Sequence, residues 1–140
     1  LSSIESFMIS SKGNTSSDFG EMIARRCDGF GFSNSVRGIF GAGKDGPALI
    51  SRGTSESLII ASGGNAIYFG DCYTGSYTSG CASQTRGLIA GGINPGGSKI
   101  NTIHYLTIES AGSSIEFGDL TRLVYDPAGV SDSHGGLGGF

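Results

Sequence analysis

Residues 38–45 form the most suggestive chemical motif of the sequence. They read Gly-Ile-Phe-Gly-Ala-Gly-Lys-Asp, which is close to a phosphate-binding loop. In such a loop Lys44 would contact the phosphates, but Asp45 stands where Ser or Thr must hold magnesium. The overlapping GxGxxG pattern has no strand–helix unit around it, which that type of nucleotide site requires. We therefore predict neither a nucleotide site nor any other cofactor.

The remaining nucleophiles, acids and histidines predict neither catalysis nor metal binding. Residues 132–134 read Asp-Ser-His, but neighbours in sequence cannot adopt the geometry of a catalytic triad, and no GxSxG elbow is present. Two histidines and scattered cysteines provide no zinc-ligand spacing. Cys27, Cys72 and Cys81 form no CxxC pair, which favours buried free thiols over a bridge between the last two. The sequence thus predicts a non-enzymatic protein with no catalytic residue and no metal site.

Recurring cations are the first candidates for ligand contact. Arg37 and Arg86 are 49 residues apart, and His134 follows 48 residues later. A ring of such cations around a channel would hold an anion or a sugar acid. Alternatively, each guanidinium donates hydrogen bonds to backbone carbonyls or to an acidic side chain of a neighbouring repeat. We favour this structural role and keep both arginines as candidate ligand contacts.

Aromatic rings are the second candidates, because sugars stack on exposed rings. Tyr73 and Tyr77 lie in a segment outside the repeated blocks described below, and Tyr105 lies in a predicted strand. Packing between repeats is the preferred explanation for Tyr73 and Tyr77. With the two arginines, these three tyrosines complete the set of candidate glycan contacts.

The composition indicates what kind of scaffold positions these residues. Gly contributes 26 and Ser 22 of the 140 residues, while 37% of the residues are hydrophobic and 15% are charged. This much Gly and Ser disfavours long helices, and the apolar content is too high for a flexible linker. We expect an all-β protein with many tight turns. A net charge of −3 and the lack of a long apolar run predict neither a nucleic-acid nor a membrane partner.

Internal repetition with a period near 49 residues organises the chain. One block occurs at residues 8–21, 59–71 and 107–119. A second block occurs at residues 35–43, 84–92 and, in degenerate form, 133–139. The first block ends in Phe-Gly followed by an acid, and we interpret the acids as turn caps that accept backbone N–H bonds: Glu21, Asp71 and Asp119.

Each repeat contains about four short apolar runs, which predict strands separated by glycine-rich hairpin turns. In the most complete repeat the runs are residues 77–82, 87–90, 103–108 and 114–117. His104 aligns with Glu5 and Glu56, so we expect a solvent-facing residue at this position. Four strands in about 49 residues is the size of one β-propeller blade.

The repeat resembles those of kelch-type β-propellers. The resemblance rests on residues 86–92 with their final double glycine, on the aromatic within residues 103–108, and on residues 115–120. The blade-closing Trp of that family is absent, and the repeated phenylalanines of the first block stand in its place. The blocks S-T-R-G-x-x-x-G-G and F-G-D-L-T are also similar to repeats in virion proteins of tailed phages, especially marine and cyanobacterial ones. This resemblance implies a non-enzymatic structural protein of an extracellular virus particle, in a tail, a fibre or a capsid decoration. A module that binds host-surface glycans is the alternative.

The repeat phase divides the chain into residues 1–33 (an end half-blade and the first inter-blade segment), 34–83 (a second repeat) and 84–140 (a third repeat and a closing half-blade). The two ends correspond to complementary halves of one blade, and the resulting three blades are too few for a closed propeller. We therefore expect a homo-oligomer, or a neighbouring virion protein as partner, although a longer polypeptide would also supply blades. A β-trefoil or threefold β-prism is the alternative architecture, because each closes within one chain of this length.

Overall fold

The computed structural model describes residues 2–7, 16–46 and 49–131, and all regular structure in these segments is β-strand. Sheet I contains β1 (Ser3–Ser6) and β2 (Ser17–Glu21). Sheet II contains β3 (Phe30–Ser33), β4 (Arg37–Gly41), β5 (Lys44–Asp45), β6 (Ile50–Ile59) and β7 (Ile67–Gly75). Sheet III contains β8 (Ser79–Ala82), β9 (Arg86–Ala90), β10 (Ile100–Thr107) and β11 (Ile115–Val124). The all-β prediction is confirmed, and none of the three antiparallel sheets closes on itself.

Sheets II and III share one strand order. In sheet III each strand pairs with the next along the chain, from β8 to β11. Sheet II repeats this order with β3, β4, β6 and β7, and the short β5 adds a third partner to β6. Sheet I is a single hairpin that corresponds to the last two strands of this pattern. The predicted strands of the most complete repeat coincide with β8 to β11, although β11 extends seven residues further than predicted, to Val124.

The last hairpin of each sheet carries the same β-bulge. The strand register shifts immediately before a glycine, so that one residue of the outer strand is left without a partner. The extra residue is in each case the phenylalanine of the repeated block: Phe19, Phe69 and Phe117. The sequence repeat is therefore also a repeat of strand register.

The segments that connect the sheets repeat an unusual backbone conformation. Asp28, Tyr77 and Asp126 have φ angles of 59°, 55° and 54°, a region that residues other than glycine rarely adopt. They are also linked in series, because the Tyr77 N–H donates to the Asp28 carbonyl at 2.6 Å and the Asp126 N–H donates to the Tyr77 carbonyl at 2.8 Å. These residues are spaced at the same 49-residue period as the two arginines.

The hydrophobic core includes residues of sheets II and III, which pack together where β3 contacts β8 and β9. Its buried members are Phe30, Ile39, Ala42, Phe69, Cys72, Ile89, Leu106 and Ile108. Phe32 extends this core and stacks on Phe30, with the ring centroids 5.3 Å apart. A Cβ on Gly87 would lie 2.1 Å from the Phe32 ring, so the glycine makes room for the aromatic side chain.

A second contact joins consecutive sheets through their backbones. The carbonyl oxygen of Gly64, in the β6–β7 connection, lies 2.1 Å from the position that a Cβ of Gly20 would occupy. The carbonyl oxygen of Gly112, in the β10–β11 connection, has the same 2.1 Å relation to Gly70. Only glycine permits this approach, because any Cβ would overlap the neighbouring backbone.

Replacing Gly70 by alanine should lower the free energy of unfolding by about 2 kcal/mol, because the new Cβ would force the two sheets apart. Gly112→Ala is the matched control, since it adds a methyl group to the other partner of this contact, where nothing lies within 4 Å. Gly112 has no positive φ, so this change should be neutral or slightly stabilising. Urea unfolding followed by circular dichroism measures both variants, and equal losses would contradict the close approach.

Candidate functional site

Arg37 lies at the start of β4 and reaches across to sheet III. Its Nη1 donates to the carbonyl oxygen of Ile108 at 2.8 Å and to that of Glu109 at 3.3 Å. The guanidinium also lies over the ring of Phe69, 5.5 Å from the centroid. Arg37 therefore joins two sheets through backbone carbonyls, as expected of an arginine in the structural role.

Arg86 occupies the equivalent position in sheet III, where it is exposed. Its guanidinium stacks over the ring of Tyr105 at 4.7 Å, and Tyr105 meets Phe117 edge to face at 6.1 Å. We call these three residues the Arg86 cluster. A cavity of about 260 Å³ lies beside it and is also lined by Leu88 and Val130. Within the described segments, no carbonyl accepts a hydrogen bond from the Arg86 side chain as Ile108 does from Arg37.

The other candidate contacts lie apart from the Arg86 cluster. Tyr73 packs on His104 with the ring centroids 5.6 Å apart, and burial raises the pKa of its hydroxyl. Tyr77 lies under Lys44, whose Nζ is 4.6 Å from the ring centroid. His134 lies outside the described residues. Of the predicted set, the structure thus brings together only Arg86 and Tyr105, and ligand contact by any of them stays a prediction.

The glycine-rich stretch at residues 38–45 is built into sheet II. Its first half belongs to β4, and its lysine and aspartate form β5. The Gly43 N–H donates to the Gly75 carbonyl at 2.7 Å, so this amide is used within the fold. Asp45 pairs with Arg52, and the hydrogen bond from that guanidinium lowers the pKa of the carboxyl group.

The three cysteines are free thiols. Cys72 is buried, and this burial raises the pKa of its thiol to about 11. Cys81 is partly buried, whereas Cys27 is exposed. The prediction of free thiols is confirmed, but the expected burial is wrong for Cys27, which lies in the segment between sheets I and II.

A buried ion pair between Arg26 and Glu56 was not foreseen from the sequence. The Glu56 side chain is 2% exposed and accepts from Arg26 and, at 2.8 Å, from the Ile23 N–H. Arg26 also donates to the carbonyl oxygens of Ala42 at 2.9 Å and Thr54 at 3.0 Å. The pair ties the segment between sheets I and II to the middle of sheet II.

The expectation of a solvent-facing position at Glu56 and His104 is therefore wrong. Glu56 is buried, and His104 is partly buried on the same strand face as Leu106, which is completely enclosed. Strand alternation with Leu106 is the sequence signal that favoured burial. The alignment with Glu5 gave the wrong prediction, because Glu5 is exposed in the two-stranded sheet I, whereas Glu56 and His104 lie in the larger sheets.

The interpretation of the repeated acids as turn caps is also wrong, because Asp119 lies inside β11 and the other two acids lie in strands as well. Asp71 and Glu21 lie in strands, where their carboxylates accept from side-chain hydroxyls. The Tyr68 hydroxyl donates to Asp71 at 2.8 Å, and the Ser2 hydroxyl donates to Glu21 at 3.0 Å. Their backbone groups, rather than their carboxylates, contact the next sheet.

Glu56→Ala should lower the free energy of unfolding by about 3–5 kcal/mol, because it leaves the Arg26 guanidinium buried without a counter-charge. The matched control is Glu5→Ala at the equivalent, exposed position, which should change stability by less than about 0.5 kcal/mol. Urea unfolding of both variants checks the difference. A small effect of Glu56→Ala would show that the ion pair contributes little.

His104 should make the fold sensitive to mild acid. Burial lowers its pKa, partly opposed by the charge of Glu116, and its Nδ1 has no hydrogen-bond partner among the described residues. The unfolded chain then binds this proton more readily than the native one, so stability falls as the pH drops below about 6.5. His104→Gln should reduce this dependence. Urea unfolding at pH 7.5 and pH 5 gives the slopes for both proteins, and identical slopes would contradict the assignment.

Sheet III ends in an open face. Phe117 is 58% exposed, whereas the equivalent Phe69 of sheet II is 3% exposed. A Cβ on Gly118 would meet nothing within 4 Å, in contrast to the filled contacts at Gly20 and Gly70. Beyond β11, a Cβ on Gly129 would lie 2.7 Å from the carbonyl oxygen of Gly80. In the same way, a Cβ on Gly80 would lie 3.2 Å from the carbonyl oxygen of Gly31. The chain after β11 thus begins to repeat the contact between β3 and β8.

Comparison with known proteins adds no assignment. The sequence matches no protein-family model and has no significant match among curated proteins.

Within the described segments, no group of three or more His, Cys, Asp or Glu side chains is arranged to hold a metal ion. Nor do these segments contain a helix with the length and hydropathy needed to cross a membrane.

Proposed function

We propose that this chain is a non-enzymatic structural protein of a virus particle, which assembles by stacking propeller-like blades. The observation that carries the proposal is the open face of sheet III. Phe69 is covered where sheet III follows sheet II, but Phe117 at the same repeat position is exposed. A further sheet stacked in the same way would remove this ring from water, which favours association.

Sheet I and the segment after β11 support a shared blade. Sheet I has the last two strands of the four-strand pattern, and the segment after β11 starts to follow the path of a first strand. Exposed sheet edges promote pairing with another chain. Pairing the segment after β11 of one copy with sheet I of the next would complete a four-stranded sheet.

The viral setting rests on the repeat motifs. Their resemblance to virion proteins of tailed phages favours a tail, fibre or capsid-decorating component of an extracellular particle. In that setting the stacked sheets would form the scaffold, and the hairpin connections would be presented at its surface.

Binding of a host-surface glycan is the second candidate function. Arg86 stacked over Tyr105 beside an apolar cavity offers a cation and an aromatic ring to an acidic sugar. A glycan array tests this function with Tyr105→Ala as the comparison. Binding that depends on Tyr105 would support it, and no binding to any glycan would leave the structural role alone.

The proposal predicts that the 14.3 kDa chain associates in solution. Light scattering coupled to size-exclusion chromatography should give a mass of two or more copies that increases with concentration, because the exposed face of sheet III is covered in the complex. A monomer at every concentration up to the solubility limit would contradict the proposed function.

A further inference from the structure

We propose that the bulge of β11 at residues 117–119 is a docking site for a second copy of this chain, which inserts the connection between its own β1 and β2. The proposal rests on the proposed self-association and specifies its contact. The arrangement is head to tail, since each copy contributes a receiving bulge at one end and an inserting connection at the other.

The structure shows the same docking twice within one chain. On sheet I, the Gly64 N–H donates to the Phe19 carbonyl at 2.7 Å, and the Ala66 N–H donates to the Glu21 carbonyl at 2.8 Å. The Glu21 N–H in turn donates to the Asn65 side chain at 3.0 Å. Three hydrogen bonds thus hold the β6–β7 connection on the bulge of β2.

The β10–β11 connection docks on sheet II with matching bonds. The Gly112 N–H donates to the Phe69 carbonyl at 2.9 Å, and the Ser114 N–H donates to the Asp71 carbonyl at 2.7 Å. The Asp71 N–H lies 3.4 Å from the hydroxyl oxygen of Ser113. The recurrence of donors, acceptors and spacing defines a docking motif: a glycine followed by a residue whose side chain accepts a hydrogen bond.

The third bulge presents the same acceptors without an occupant. No backbone N–H from any connection in the described segments donates to the carbonyl oxygen of Phe117 or Asp119. The space above Gly118 is open, whereas both filled bulges have a carbonyl oxygen there. The register around Gly118 matches that of the filled bulges, so the site needs no rearrangement to accept a connection.

The connection between β1 and β2 matches the two docking connections in sequence. Residues 12–14, between β1 and β2, read Lys-Gly-Asn and align with the Gly-Gly-Asn of residues 63–65. Gly13 corresponds to Gly64, the backbone donor, and Asn14 corresponds to Asn65, the side-chain acceptor. Residues 8–15 lie outside the described segments, so this match is one of sequence.

Arg86 provides the second part of the contact. In the filled interface between sheets II and III, Arg37 donates to the carbonyls of the two residues that follow β10. The equivalent carbonyls of a second copy belong to residues 9 and 10 by the same alignment. Docking would therefore give Arg86 the acceptors that Arg37 already has. Because the two surfaces differ, repetition of the contact yields a closed ring or an open filament.

A pair of variants on β11 tests the receiving site. Phe117→Ser should weaken association about tenfold or more, because docking would bury this ring as Phe69 is buried. Ile115→Ser is the matched control: Ile115 is 57% exposed, and its equivalent Ile67 remains 64% exposed beside sheet III. Sedimentation velocity measures both, and circular dichroism checks that each variant is folded. Equal association of the two variants would overturn the proposal.

A mixing experiment tests the occupant. Gly13→Val should abolish association, because the equivalent Gly64 has a φ of 101°, which valine does not readily adopt. Mixed with Phe117→Ser, it should form one-to-one dimers, since one intact bulge and one intact connection remain. Association of Gly13→Val alone, or monomers in the mixture, would overturn the docking while leaving the proposed function intact. Monomeric wild-type protein would overturn both.

Discussion

The close approach of two backbones holds successive sheets of this protein together. A hairpin connection of one sheet lies on the bulge of the sheet before it, with a carbonyl oxygen in the space where Gly20 or Gly70 lacks a side chain. The hydrogen bonds of this contact use backbone groups of an edge strand at and beside its bulge, on the side that faces away from its own sheet. The register shift and the phenylalanine at the bulge recur wherever this contact forms in the described segments.

This constraint explains a composition that otherwise suggests a flexible linker. Glycine occurs where sheets touch, both in the backbone contacts and beneath the Phe32 ring at Gly87. Close packing at these points lets a chain with few large side chains enclose a core between sheets II and III. At these positions glycine permits contact between sheets and does not indicate disorder.

Several residues of types associated with catalysis have structural roles in the described segments. Arg37 bonds backbone carbonyls, Asp45 pairs with Arg52, and Glu56 neutralises Arg26 inside sheet II. Repetition explains part of this pattern, because a residue type that recurs in each repeat usually stabilises the repeat. The buried ion pair is different: it occurs in one repeat only, and it fixes the otherwise irregular segment between sheets I and II.

The amino-acid sequence by itself determined the strand class, the 49-residue period and the four strands of the most complete repeat, because alternation and glycine-marked turns are local properties of the chain. It also indicated that Arg37 would donate hydrogen bonds to backbone carbonyls. Only the tertiary structure decided which members of a repeated set are buried. Glu5 and Glu56 share a sequence position, as do Phe69 and Phe117, yet their exposures differ widely because exposure depends on the sheet that packs above. Local pattern encodes a strand and its faces, whereas the number of neighbours around that strand is a property of the assembled stack.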